Sequence, residues 1–302
     1  MHSSYRTVGR SILAALWISA VACPDIRMNA AESISPAEAL VTTHRPLVIA
    51  HRGFSLFAPE NTLPAFESGI KAGADLIELD YHHTSDGVPL VIHDFDLDRT
   101  TDAQSRFHAK KIPVASKTLQ EVRDLDAGSW FSPGMTAVRL PTLKEALSLI
   151  QNGGMTLIER KSGDPETCVK LLREEKLVNH VVVQSFDWDY LTEFHQLEPR
   201  QLLGALGPQG SRNGRKLSDE EKVLDRVWVD QVRAIGARVV VWNRNVTSDA
   251  VDYAHDRGLK VWIYTIDDPE VANQLLDQKV DGIISNNPSI IWRTLALRAG
   301  AP

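Results

Sequence analysis

Cysteine is almost absent from this sequence, which has only Cys23 and Cys168 among its 302 residues. Two cysteines supply neither the set of bridges that holds a small disulfide-rich protein together nor a thiolate metal site. Cys168 lies in an apolar helical pattern, which favours a place in the hydrophobic core. The length and the ample apolar content are typical of a single barrel-sized domain that is stabilised by such a core.

Positive charge is also in short supply, because 33 Lys and Arg stand against 39 Asp and Glu, a formal net charge of −6 at pH 7. Proteins that bind nucleic acid normally present a basic surface, so this balance argues against nucleic acid as the main partner. An anionic substrate would have to be drawn in by a local site, through a metal ion or a few cationic side chains.

Long apolar runs are missing beyond the N-terminus, so we expect no transmembrane span in the mature chain. The run at 11–23 is too short to cross a bilayer comfortably, and it follows the positive start given by Arg6 and Arg10. Small residues at 20–22 then offer a cleavage site. We therefore interpret residues 1–30 as a signal peptide and the protein as exported, either periplasmic or secreted.

The same N-terminal segment has two alternative interpretations. The apolar run could be retained as a membrane anchor. Cys23 could also carry a lipid, because it stands where a lipoprotein signal places its modified cysteine, although Ala20 is a poor match where such signals prefer Leu. Residues 31–44 are predicted to be a linker that leads into a domain covering 45–302.

From Pro46 onward, short apolar runs alternate with helical segments, as is typical of a parallel α/β fold. We expect an irregular TIM (β/α)8 barrel, although nine runs are strand-like and 238–242 is the weakest. The connection 81–88 is too short for a helix, so one barrel unit must be irregular. Residues 95–141 are predicted to be an insertion after the third strand. The strand-like runs are 46–51, 75–80, 89–93, 155–160, 180–185, 201–206, 238–242, 260–265 and 281–285.

Two carboxylates lie side by side in the second strand-like run. Glu78 and Asp80 alternate with Leu79, so on a strand both would point to the same face. Adjacent carboxylates repel, and one stays protonated unless a cation lies between them. Oxygen ligands suit a hard divalent ion, Mg²⁺ or Ca²⁺, better than Zn²⁺. A solvated strand edge is the alternative interpretation of this pair.

Histidines stand at the ends of two strand-like runs, with Arg52 following His51 and Asp94 following His93. The carboxyl ends of parallel barrel strands form the active face of such folds. A lone histidine there is commonly a packing or capping residue, but two that flank a carboxylate pair favour a catalytic site. A cation, two histidines and an arginine are together suited to cleaving a phosphate ester.

Later strand ends supply further candidates. Glu159 and Lys161 share a face, which offers a third carboxylate and a cation for a phosphate oxygen, unless the two form only a salt bridge at the rim. Gln184 ends the fifth run and could line the pocket. Tyr264 could form a pocket wall, and Trp130, in the insertion, could close the site from above.

Taken in order, these motifs resemble those of the glycerophosphodiester phosphodiesterases, a branch of the phosphatidylinositol phospholipase C-like barrels. The resemblance covers nearly the whole mature chain, and the ordered set is highly specific. The matching pieces are HRG at 51–53, PENT at 59–62, GAD-x-IELD at 73–80, HD at 93–94, DRTTD at 98–102, E-x-K at 159–161, QSF at 184–186, YT at 264–265 and DGI at 281–283.

The resemblance implies a role for each matching residue. His51 and His93 would be the general acid–base pair. Glu78, Asp80 and Glu159 would be the ligands of one divalent cation, Mg²⁺ or Ca²⁺. The substrates implied are deacylated phospholipids such as glycerophosphocholine, hydrolysed to sn-glycerol 3-phosphate and a free alcohol.

Four positions make up the predicted substrate-binding set. Arg52 and Lys161 would hold phosphate oxygens, and Gln184 and Tyr264 would line the pocket. Tyr264 stands where the family commonly has Trp, and Ser285-Asn286 stands where Thr-Asp is common. These departures concern the pocket, because no catalytic position is lost.

Two rival functions keep the same barrel. A phospholipase C- or D-like enzyme acting on intact lipids would need an exposed apolar rim or loop that enters the bilayer, and the sequence shows no clear one. A non-catalytic exported binding protein would be expected to have lost ligands or histidines, and all of them are present.

Overall fold

The structure is a computed structural model that describes residues 1–2, 34–212 and 214–300 of the chain. The described residues from Ile34 onward belong to one compact unit. The predicted signal peptide beyond its first two residues, the alternative anchor and Cys23 all lie outside the described residues. Within those residues, no helix has both the length and the apolar character needed to cross a bilayer.

Eight parallel strands close into a barrel, as expected from the alternation of apolar runs and helices. The described strands are β1 (Leu47–Ala50), β2 (Leu76–His83), β3 (Pro89–Val91), β4 (Met155–Arg160), β5 (Val181–Ser185), β6 (Leu202–Leu206), β7 (Ser211–Arg212), β8 (Arg215–Lys216), β9 (Val239–Trp242), β10 (Lys260–Ile263) and β11 (Gly282–Ser285). The ring runs β1-β2-β4-β5-β6-β9-β10-β11 and closes because β1 pairs with both β2 and β11.

Helices surround the barrel and cover its outer face. Several have side-chain N-caps at the start, among them Thr142, Asp164, Asp187, Asp225, Thr247 and Asp268. The described helices are α1 (Pro36–Val41), α2 (Leu63–Lys71), α3 (Ala103–Phe107), α4 (Leu119–Val122), α5 (Leu143–Ile150), α6 (Pro165–Glu174), α7 (Trp188–Leu197), α8 (Arg226–Ala234), α9 (Ser248–Asp256), α10 (Pro269–Asp277) and α11 (Pro288–Ala299), with 3₁₀ turns at Val114–Ser116 and Glu220–Lys222.

The strands are apolar on both faces because each face meets a different core. Ile49 and Val182 belong to the cluster inside the barrel, whereas Val48 and Val183 pack in the cluster between the barrel and the helices. Burying one such aliphatic side chain contributes about 1.5–3 kcal/mol. This double burial explains why the strands appear in the sequence as nearly continuous apolar runs.

Two details of the predicted strands need correction. The weakest run, 238–242, contains a true barrel strand, β9, which pairs with β6 and β10. The extra strand is β3, which pairs antiparallel with β2 and lies outside the ring. The loop between them is far too short for the crossover that parallel strands require, and Gly87 turns it with a φ of 77°. His93 therefore does not end a barrel strand.

The predicted linker at 31–44 is wrong for the part that forms α1. The Ser35 hydroxyl caps this helix by accepting the Glu38 N–H at 3.2 Å. Ala37 and Val41 are buried in the same apolar cluster as the barrel interior, so α1 packs against the barrel instead of connecting to it.

Residues 95–141, predicted to be an insertion, form an irregular segment with a small core of its own. It contains the short helices α3 and α4, and its apolar side chains form a cluster separate from the two barrel cores. Leu97, Ile112 and Val114 are buried there together with Leu90 and Ile92 from the end of β3. This packing ties the insertion to the segment that carries His93.

Candidate active site

Three buried carboxylates meet at the carboxyl end of the barrel. Glu78 and Asp80 lie on β2, and Glu159 on β4 is paired in register with Asp80. Each offers an oxygen atom within 4.8 Å of the others, and their exposures are only 1%, 0% and 6%. Leu79 points to the outer core, so the alternation predicted from the sequence places both β2 carboxylates on the inner face.

Two cationic side chains lie beside these three carboxylates. Arg52 Nε lies 3.3 Å from Asp80 Oδ2, and Lys161 Nζ lies 3.1 Å from Asp80 Oδ1. Lys161 also pairs with Glu159. Arg52 additionally donates through a terminal nitrogen to Glu60 at 2.8 Å. The carboxylates consequently outnumber the charges that directly balance them.

The surplus of negative charge shifts the pKa values of the three carboxylates. Burial, followed by repulsion from Asp80, raises the pKa of Glu78 well above its ordinary value and that of Glu159 to about 7. Burial also opposes ionisation of Asp80, but Lys161 and Arg52 outweigh it and hold its pKa below the ordinary value. In addition, Glu78 Oε1 is buried without a hydrogen-bond partner. A divalent cation with oxygen ligands fits this site because it would satisfy the free oxygen and relieve the repulsion.

The turn after β1 requires glycine and shapes one side of the site. Arg52 and Gly53 have φ values of 56° and 79°. A Cβ atom on Gly53 would lie 2.5 Å from the Ala65 carbonyl carbon, which is too close for any other residue. The turn lets the Arg52 N–H donate to Glu78 Oε2 at 2.7 Å, so the HRG motif holds a carboxylate through its backbone.

His51 is oriented by a neutral amide. Its Nδ1 lies 2.7 Å from Asn286 Oδ1, and the Asn286 amide nitrogen donates to Asp267 at 2.6 Å, which sets the direction of the amide. His51 therefore carries its proton on Nδ1 and keeps Nε2 as the basic nitrogen. Burial, assisted by the charge of Arg52, lowers the pKa of His51 to about 4, so the ring is neutral at pH 7.

His93 is oriented by a carboxylate. Its Nδ1 lies 2.7 Å from Asp94 Oδ1, and the Nε2 of His82 donates to the His93 carbonyl at 3.0 Å. Burial lowers the pKa of His93, while the charge of Asp80 and the hydrogen bond to Asp94 oppose the decrease. The two histidines thus have different partners, a neutral amide for one and an anion for the other.

Of the remaining predicted residues, Gln184 lies beside Glu159 in the sheet. It is paired in register with Glu159 on the adjacent strand, and its buried Oε1 has no hydrogen-bond partner. The Tyr264 hydroxyl donates to the Gly207 carbonyl at 2.6 Å, and its ring packs edge-on against Phe186. Burial and then the charge of Glu159 raise the pKa of Tyr264, so its ring remains an uncharged wall.

Several supporting residues have roles that the sequence does not reveal. Asn61 donates to Asp80 Oδ2 at 2.8 Å and accepts the Asp80 N–H at 3.1 Å, which clamps that carboxylate on two sides. Arg99 bridges Asp94 and Glu60, and so connects the His93 side of the site to Arg52. The PENT, HD and DRTTD motifs contain these residues, but a motif on a loop does not reveal its partner.

A family model described as the glycerophosphoryl diester phosphodiesterase family matches residues 51–290, which include every residue of this site. The chain belongs to that family. It is a glycerophosphodiester phosphodiesterase, as its relatives and similar structures also indicate. Every site residue predicted from the sequence lies within the matched range, from His51 to Tyr264.

Curated relatives cover most of the chain. The glycerophosphodiester phosphodiesterase of Caldanaerobacter subterraneus subsp. tengcongensis is 32% identical over 82% of this chain and 96% of its own length. The enzyme of the same name from Bacillus subtilis is 31% identical over 84% of this chain and 88% of its own.

Solved structures share the fold. A phosphodiesterase of Oleispira antarctica, determined in complex with the product sn-glycerol-3-phosphate, has a TM-score of 0.71 and 27% identity over 83% of this chain and 97% of its own. The glycerophosphodiester phosphodiesterase of Agrobacterium tumefaciens has a TM-score of 0.68 and 25% identity, over 82% of this chain and 98% of its own.

Proposed function

We propose that this enzyme hydrolyses glycerophosphodiesters such as glycerophosphocholine to sn-glycerol 3-phosphate and an alcohol, with one divalent cation and a histidine acid–base pair. The observation that carries the proposal is the surplus of buried carboxylates beside two cations and two differently oriented histidines. The product bound to the Oleispira antarctica structure supports the same substrate class.

Glu78, Asp80 and Glu159 would hold the cation, which is Mg²⁺ or Ca²⁺ because the ligands are carboxylate oxygens. When bound, such an ion neutralises charge that develops on the phosphate oxygens. Asn61 keeps Asp80 in place through two hydrogen bonds, and the Arg52 N–H keeps Glu78 in place. The site is thus preorganised by neighbours that belong to the PENT and HRG motifs.

Arg52 and Lys161 would hold the remaining phosphate oxygens. Their side chains are each 16% exposed, so they reach the pocket while still pairing with Asp80. Charged donors fixed in a site from which water is largely excluded stabilise an anion more strongly than the same donors do in water. Gln184 and Tyr264 complete the walls.

His51 acts as the general base, because its partner Asn286 is neutral and leaves Nε2 free to accept a proton. His93 is assigned the general-acid role, because its Nδ1 faces the Asp94 carboxylate, which favours a protonated ring more than the neutral amide behind His51 does. In the first step the glycerol hydroxyl beside the phosphate loses its proton to His51, attacks phosphorus, and the alcohol departs with the proton of His93. Water then opens the cyclic phosphate while the histidines exchange roles.

Direct attack by water on the diester is the second route, and it uses the same pair of histidines. In that case water, instead of the glycerol hydroxyl, gives its proton to His51. Both routes consume one water molecule and break the bond between phosphorus and the leaving alcohol oxygen. Accumulation of a cyclic glycerophosphate in a stopped reaction distinguishes the first from the second.

Single replacements of the two histidines test the assignment. His51→Ala and His93→Ala should each lower turnover of glycerophosphocholine by about 100-fold or more, the range expected for lost acid–base catalysis. A nitrophenyl diester needs little protonation of its leaving group, so it should restore much of the rate of His93→Ala and little of that of His51→Ala.

Divalent-cation binding, measured by calorimetry, should survive in both variants because neither histidine is a proposed ligand. Near-normal turnover in both variants would contradict the proposed chemistry. Rescue of His51→Ala instead of His93→Ala would reverse the two roles.

We also propose that the protein is exported, with residues 1–30 as its signal peptide. This part of the proposal rests on Arg6, Arg10 and the apolar run at 11–23. A lipid at Cys23 remains a variant of the same proposal, in which the mature protein would stay attached to a membrane.

A further inference from the structure

His82 lies on β2 directly beyond the carboxylates and shares their face of the strand. Alternation along β2 places Glu78, Asp80 and His82 on one side. The last residue of β2 that pairs with β4 is Tyr81, so His82 lies just past the ring of the barrel, where β2 pairs with β3. His82 is only 2% exposed. It is a buried imidazole next to the site that belongs neither to the proposed cation ligands nor to the acid–base pair.

Both ring nitrogens of His82 have hydrogen-bond partners. Its Nε2 lies 3.0 Å from the carbonyl oxygen of His93, and its Nδ1 lies 3.0 Å from the hydroxyl oxygen of Ser162. A carbonyl oxygen can only accept, so the proton is on Nε2, and Nδ1 accepts the hydroxyl proton of Ser162. Burial lowers the pKa of His82, which favours this neutral form. The ring therefore forms a bridge between two segments of the chain.

His93 depends on this bridge because it lies beyond the regular pairing of its own strand, which ends at Val91. The Ile92 N–H donates to the Asp80 carbonyl at 3.0 Å, and the next carbonyl along the chain, that of His93, is held by His82. Asp80 and His82 both belong to β2. The strand that carries two of the proposed cation ligands thus also fixes the backbone of the proposed acid.

The other end of the bridge reaches the loop after β4. Ser162 directly follows Lys161, whose ammonium nitrogen lies 3.1 Å from Asp80. This loop has further attachments to β2, because the Lys161 N–H donates to the Tyr81 carbonyl at 3.0 Å and the Ser162 hydroxyl accepts the His83 N–H at 3.3 Å. Loss of the bridge should therefore disturb this loop less than it disturbs the proposed acid.

We propose that His82 is a positioning residue that keeps His93 in line with the leaving alcohol, through the hydrogen bond from Nε2 to the His93 carbonyl. This inference rests on the proposed function, in which His93 gives its proton to the departing oxygen. A proton donor must be within hydrogen-bond reach of the atom that it protonates, and small displacements of a catalytic group are costly. Without His82, the His93 carbonyl loses its partner and the segment is free to shift.

Two conservative replacements in the full-length chain separate the two ends of the bridge. In His82→Gln the amide nitrogen takes the place of Nε2 and can still donate to the His93 carbonyl. In His82→Asn the shorter side chain places its amide oxygen near Nδ1, where it can accept from Ser162 but cannot reach His93. His82→Leu removes both bonds. His83→Gln is the matched control, because the His83 ring stacks against Tyr81 on the other face of β2.

The expected losses depend on the bond that each variant keeps. On glycerophosphocholine, His82→Leu and His82→Asn should lower kcat by about 10–100-fold with little change in KM, the range known for partners that orient a functional group. His82→Gln should keep most of the rate, and the control should keep all of it. A nitrophenyl diester needs little protonation of its leaving group, so it should restore much of the rate of His82→Leu, as it should for His93→Ala.

A double variant tests whether His82 acts through His93. Once His93 is replaced by alanine, the placement of that segment no longer affects proton transfer. His82→Leu combined with His93→Ala should therefore be no slower than His93→Ala alone. Urea denaturation of every variant measures the loss of stability separately from the loss of rate.

Losses that add in the double variant would overturn the inference. So would a nitrophenyl diester that restores the rate of His93→Ala but not that of His82→Leu. An active His82→Asn beside an inactive His82→Gln would also overturn it, because the effect would then come from Ser162, and this comparison stands even if His82→Leu does not fold. His93→Ala separates the two levels. If its turnover is near normal, the proposed chemistry fails first, and if it is slow while His82→Leu is not, only this inference fails.

Discussion

Removing divalent cations should make the stability of this enzyme depend on pH in a direction that the buried carboxylates determine. Burial and the repulsion of Asp80 raise the pKa of Glu159 from 4.5 to about 7 in the cation-free protein. In the unfolded chain Glu159 has its ordinary pKa. Between these two pH values the folded state therefore holds more protons than the unfolded state, and stability must fall as the pH rises.

The magnitude follows from the two pKa values of Glu159. At about 1.4 kcal/mol per pH unit, raising the pKa from 4.5 to about 7 corresponds to roughly 3 kcal/mol lost across that interval. Glu78 contributes in the same direction, because its pKa is also raised. The pKa of Asp80 is lowered instead, so the stability that its carboxylate contributes is lost only in more acidic solution.

Urea denaturation of chelator-treated protein at several pH values between 4.5 and 7.5 measures this dependence. Adding saturating Mg²⁺ or Ca²⁺ at pH 7.5 should recover the lost stability, because the ion binds the folded state and replaces the proton. Glu159→Gln should flatten the pH dependence and raise the stability of the chelated protein at pH 7.5. Glu166→Gln, on the exposed first turn of α6, is the matched control and should leave it unchanged.

A chelated protein that is as stable at pH 7.5 as at pH 5 would refute this reasoning. So would a Glu159→Gln variant with the same pH dependence as the wild type. Recovery by a divalent cation in a variant that lacks both Glu78 and Glu159 would show that the ion binds elsewhere.

Two further predictions concern the base and the N-terminus. Asn286→Asp should move the acid limb of the pH–rate profile to higher pH, because a carboxylate raises the pKa of His51 from about 4. Asn286→Leu should lower kcat with little change in KM, and the control Asn152→Asp should change neither the profile nor kcat. An unchanged profile in Asn286→Asp would show that Asn286 does not position His51. N-terminal sequencing and mass analysis of protein from the native host should show loss of about the first 20–30 residues, or a lipid on Cys23, and an intact Met1 on intracellular protein would contradict export.

The sequence alone determined the barrel and the shared face of its carboxylates. Strand alternation places Glu78 and Asp80 on one face, and strand order brings Glu159 beside them, because parallel strands present their carboxyl ends at one edge. Local periodicity is sufficient for such conclusions. It also sufficed for the insertion at 95–141, where the strand–helix pattern stops.

Only the tertiary structure decided which groups act on one another across the loops. The reversed direction of β3, the Asn286–Asp267 pair behind His51 and the bridge made by Arg99 all join segments that are distant in the chain. The same is true of the exposed apolar side chains of Phe57, Phe95, Trp130 and Phe186, which come from four separate loops and appear unremarkable one at a time. Loop convergence depends on the whole packed barrel, so neither residue spacing nor periodicity can reveal it.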